Sequence, residues 1–172
     1  MMRVLLALGS LLWIAWPVLN AALGQPALGR ALLALIILVL LAGLVLFARQ
    51  QRSNRGAVGA LIAVAGLTVL LAGATVQFWL LPNEQASPGL RTIVGLADLG
   101  GMLALYAGGI LIGLDLRRGS AEARRTGSML ILALPTAIFL LFVVAIAGVP
   151  FGDGIALHWP IGGALAFLAF TD

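Results

Sequence analysis

Apolar residues run along this chain in long blocks, and polar residues collect in the short gaps between them. A helix crossing the hydrocarbon core of a bilayer needs about 20 mostly apolar residues. Five blocks meet that length, over 4–22, 28–48, 56–81, 90–114 and 127–149. A sixth, over 154–170, has about 17 residues and lies near the lower limit. Pro160 interrupts it. A proline removes one backbone hydrogen bond and favours a kink, which neighbouring helices in a bundle absorb. The pattern predicts an all-α, polytopic transmembrane helical bundle forming a single domain over 1–172. It has six helices, or five if the last segment inserts only halfway.

Composition agrees with the pattern. The chain is 62% hydrophobic and 9% charged, against about 45–50% and 25% in a soluble domain. So few charges cannot cover a water-facing globule. The first block carries one arginine and small residues at Ala21 and Ala22, so a cleaved signal peptide is the alternative to a first span. Its apolar run exceeds the usual 7–15 residues of such a peptide, which favours the span.

Charge placement sets an expected orientation. All ten basic residues are arginine. Arg3, then Arg49, Arg52 and Arg55, then Arg117, Arg118, Arg124 and Arg125 fall on one side of the predicted membrane, and only Arg30 and Arg91 on the other. Cytoplasmic connections carry the excess of basic residues, so the N-terminus is expected in the cytoplasm, and the C-terminus too if there are six spans. Trp13, Trp16, Trp79 and Trp159 all fall toward the opposite, outer side, where an aromatic belt is expected. The net charge of +4 belongs to these connections, which suit a lipid bilayer as partner and not nucleic acid. The arginine-only, glycine-rich composition suits the cytoplasmic membrane of a bacterium.

Polar residues inside spans are costly and point to function. Asp98 lies about two turns into the fourth span and Gln77 about one turn from the outer end of the third. The sole histidine, His158, opens the sixth, five residues after Asp153. One reading joins Asp98, Gln77, His158 and Asp153 in an outward-facing polar pocket for a cation, a proton or a small polar ligand. The plainer reading is a structural hydrogen bond from Gln77 to Asp98. Asp153, between Gly152 and Gly154, suits a turn residue capping the last helix, and Asn20 suits the outer end of the first.

The fourth span is rich in small residues. Gly109 and Gly113 form a GxxxG pair, and Ala104 with Gly108 adds another close-packing pair. This helix is expected at the centre of the bundle, with a homodimer seam through Gly109 and Gly113 as the alternative. Catalytic and cofactor patterns are not found. There is no cysteine, one histidine cannot supply paired haem ligands, and no HExxH, Walker or dinucleotide fingerprint occurs.

The stretch from 56 to 170 contains the Gln77-Phe78-Trp79 triplet, the connection "LDLRRGSAEARRTG", and a histidine near the last helix. It resembles a loose class of uncharacterised bacterial multi-pass integral membrane proteins. The resemblance implies a helical membrane protein and assigns no activity. The expected role is a non-enzymatic membrane component or accessory subunit. The alternative is a small transporter or channel using the region of Asp98 and Gln77. A lipid-directed enzyme with His158 and Asp153 as acid and base is weaker still, because the two lie about 140° apart on a helix.

Overall fold

The computed structural model of the chain describes residues 1–24, 26–80, 88–148 and 152–171, with the side chains of 26, 27, 79, 80 and 152–155 outside the description. Among the described residues all regular structure is helical: α1 (Met2–Leu23), α2 (Pro26–Gln50), α3 (Asn54–Leu80), α4 (Pro88–Leu116), α5 (Ala121–Ala147) and α6 (Gly152–Leu168). Five of them are long and apolar enough to cross a membrane. The sixth has 17 residues, about 26 Å at 1.5 Å per residue.

Most helix ends fall within two residues of the expected ones, and α5 is the exception. It starts at Ala121, inside the polar stretch read as a connection. Ser120 is its N-cap, with a side-chain oxygen accepting from the Ala123 amide, and Glu122 sits in the first turn. A hydroxyl cap and an early acid stabilise a helix start, so polar residues here continue the helix instead of breaking it. At the other ends, α1 and α5 stop on glycines in the left-handed region, Gly24 at φ 59° and Gly148 at φ 61°. Asn20, expected to cap α1, lies inside it. Gly152 and Asp153, expected in a turn, belong to the first turn of α6, and the side chain of Asp153 lies outside the described residues.

Each helix packs on its neighbours in the chain, and α6 returns to pack on α1, closing a ring. No helix occupies the centre. The expected central helix, α4, is one member of the ring, and its principal partner is α3. These two approach through glycines spaced seven apart. A Cβ at Gly59 would lie 2.8 Å from the Gly108 carbonyl oxygen, and one at Gly66 would lie 2.6 Å from that of Gly101. Seven residues nearly complete two turns, so the α3 glycines share one face. Association of apolar helices in lipid rests on such close packing.

The glycine pair read as a possible dimer seam packs within the chain. Gly113 meets α5, where a Cβ would lie 2.5 Å from the Gly127 carbonyl oxygen, and Gly109 faces Ile161 and Leu130. Toward the arginine-bearing connections the ring is filled by Leu6, Leu44, Leu67, Leu105 and Leu168, all essentially inaccessible. Replacing Gly66 by alanine should therefore part α3 from α4 and cost about 1–3 kcal/mol. Gly100→Ala, where an added Cβ meets nothing within 4 Å, should stay within about 0.5 kcal/mol. Thermal or denaturant unfolding in nonionic detergent reads the difference.

Candidate functional site

In the half of the ring away from the arginine-bearing connections, five helices surround a cavity of about 320 Å³. Trp13 and Trp16 come from α1, Arg30 from α2, Leu70 and Ala74 from α3, Asp98 and Met102 from α4, and His158 from α6. Most of the wall is apolar. Its polar part consists of one carboxyl, one guanidinium and one imidazole, each from a different helix.

Asp98 is held by α3. Gln77 donates from its Nε2 to Asp98 Oδ2 at 2.5 Å. One helical turn before Gln77, Gly73 makes room for the carboxyl group, since a Cβ there would collide with Asp98 Oδ1. Gly73 continues the seven-residue series of Gly59 and Gly66, so the seam that joins α3 to α4 also seats this acid. Arg30 lies half-buried one turn into α2 and interacts electrostatically with Asp98.

His158 is held by two indoles. Its ring centroid lies 4.7 Å from that of Trp13 and 5.2 Å from that of Trp16, with interplanar angles of 40° and 36°. Trp13 is 1% exposed, and Trp16 donates from its indole to the Gly29 carbonyl at 3.1 Å. Both were expected in an outer aromatic belt. They instead turn toward the ring interior, because the face of α1 that carries them is the one α6 packs against. Trp159 differs from them in being 43% exposed.

Two side-chain hydrogen bonds fix α6 at this level. Each is made to a carbonyl in the turn before a proline, where the ring disturbs the helix. Three residues before Pro17, the Ile14 carbonyl accepts from the Trp159 indole at 2.8 Å. Three residues before Pro160, the Leu157 carbonyl accepts from the Tyr106 hydroxyl at 2.7 Å. One bond ties α6 to α1 and the other ties it to α4. Leu157 and Trp159 flank His158, so these bonds set the imidazole against the cavity.

Of the residues singled out from sequence, Asp98 and His158 line one cavity, and Gln77 supports Asp98 from outside its wall. Arg30 was read only as an outer-side charge, and Trp13 and Trp16 only as interface anchors. For Arg30 the available signal was its place: a charge four residues into a helix of mean apolar character is costly unless it faces the interior. No family model, no curated protein and no solved structure matches the chain. The support of Asp98 can be tested directly. Gln77→Leu removes the donor and should cost about 1–3 kcal/mol of stability. Asp98→Asn retains an acceptor oxygen for the same bond and should cost less than about 1 kcal/mol, both read by unfolding in detergent.

Proposed function

We propose that this multi-pass membrane protein lies in the bacterial cytoplasmic membrane, with both ends in the cytoplasm, and binds a zwitterionic group in its outer-half cavity without acting as an enzyme. The carrying observation is the convergence of Arg30 and Asp98 on one cavity. A charged side chain at the centre of a span costs about 2.5–3.5 kcal/mol on insertion scales, and Asp98, well inside α4, bears more of that cost than Arg30, one turn into α2. Opposite charges on one wall complement a ligand that itself carries both signs. The indoles beside His158 add faces that attract a cationic group. The volume matches the lower end of small-molecule sites, roughly 300–1,000 Å³.

The non-enzymatic part of the reading rests on the lining: no hydroxyl or thiol side chain is among the described residues of the wall. The cytoplasmic placement of the ends rests on the arginine distribution. The cavity favours ligand handling over the accessory-subunit expectation. The packed leucines toward the arginine-bearing connections favour a binding site or carrier over an open channel.

Trp13 and Trp16 line the cavity, so their emission should report its occupation. Purified protein in nonionic detergent, titrated with glycerophosphoethanolamine, should give a saturable change. Affinity should be at least about tenfold, or 1.4 kcal/mol, above that for glycerol phosphate or ethanolamine alone. Asp98→Asn should remove that preference while the helical circular dichroism stays unchanged. No saturable response to any of the three probes would reject the reading.

A further inference from the structure

Arg30 belongs to two cavities at once. It lines the interior chamber with Asp98 and His158, and it also lines a second groove of about 290 Å³ shared by α2 and α3. That groove is walled by Ala34, Leu35, Leu38 and Phe78, with Thr75 the only hydroxyl. The Thr75 hydroxyl donates to the Leu71 carbonyl within its own helix, so the groove offers hydrocarbon along its length. Leu35 and Leu38 are 56% and 48% exposed, which puts the groove on the lipid side of the bundle. From Arg30 to Leu38 it runs about 12 Å along the helix axis. Arg30 thus stands between a chamber that holds Asp98 and His158 and a trough of hydrocarbon.

A solute arriving from water has no use for the trough. An amphiphile matches both parts, with a polar head in the chamber and a hydrocarbon chain beside α2 and α3. The chamber selects among heads. Arg30 suits a phosphate, and Asp98 suits an ammonium. We infer that the ligand is a zwitterionic phospholipid drawn laterally from the surrounding leaflet. Its phosphate sits at Arg30, its ammonium at Asp98, and one acyl chain lies in the α2–α3 groove. This rests on the chamber binding a zwitterion, and names the bilayer as the source.

The test compares dihexanoyl phosphatidylethanolamine, below its micellar concentration, with glycerophosphoethanolamine, by tryptophan emission of the full chain in nonionic detergent. The lipid should bind about tenfold more tightly or better, because its chains gain apolar contact. Ala31→Phe fills the head of the groove from an exposed position that carries no core packing. It should bring lipid affinity down toward that of the headgroup and leave headgroup affinity unchanged. Dihexanoyl phosphatidylglycerol, which lacks the ammonium, should bind about tenfold more weakly than the ethanolamine lipid. Equal affinity for lipid and headgroup, or an Ala31→Phe protein that binds lipid like the wild type, overturns the lateral lipid site and leaves the chamber reading standing. Equal affinity for the two lipids overturns the zwitterion assignment. Failure of both ethanolamine probes to bind the wild type removes the chamber reading as well.

Discussion

The return of α6 onto α1 is the contact on which the rest depends. Without it the ring is open, and the interior chamber loses the wall that carries Leu157 and His158. The closure is made by small and aromatic residues acting together. Gly162 lets α6 approach until a Cβ there would lie 2.8 Å from Ile14 Cγ1, and the Trp159 indole reaches the Ile14 carbonyl. Although α6 has only 17 residues, Ala156, Ile161, Ala164, Leu165 and Leu168 are all buried, so apolar packing and these specific bonds act together.

Hydrocarbon surroundings explain why the bonds take this form. Water cannot satisfy a carbonyl freed by a proline inside a bilayer, and each such group costs several kcal/mol if left alone. The Ile14 and Leu157 carbonyls lie in the turns before Pro17 and Pro160, and each accepts a side-chain donor from across the bundle. One consequence is directional: Tyr106 fixes α6 to α4, and Trp159 fixes it to α1, so the imidazole between them is held from two sides.

The architecture was largely legible in the sequence, and the site only in part. Block lengths gave the helix count and most ends, because a span is a property of local composition. The start of α5 is not legible from apolar content, because "SAEARR" carries three charges and a serine, and Ser120 there makes a cap instead of a break. Helix order around the ring was not legible, as the apolar helices carry no strong face that says which neighbour they meet. The pairing of Asp98 with Gln77 could be anticipated from their matching depth. The inward turn of Trp13 and Trp16 could not, because an indole near a helix end suits a headgroup layer and a packed interior equally well. The glycines at 59, 66 and 73 are readable as a seven-residue series, yet the small residues of α4 point to a central helix, whereas α4 is one member of the ring.

Arg30 shows how the setting of a charge in a membrane helix bears on its role. A charge kept only for orientation can stay exposed at a helix end or in a connection, as Arg117, Arg118, Arg124 and Arg125 do around the start of α5. A charge kept only for packing belongs with a direct partner that neutralises it. Arg30 sits on a span, half-buried, with its opposite charge across the same cavity and a hydrocarbon groove on its other side. Asp98 accepts from Gln77 and also interacts with Arg30, so one carboxyl answers to both α2 and α3, and a ligand carrying its own anionic group would add an acceptor that Arg30 could meet from either cavity.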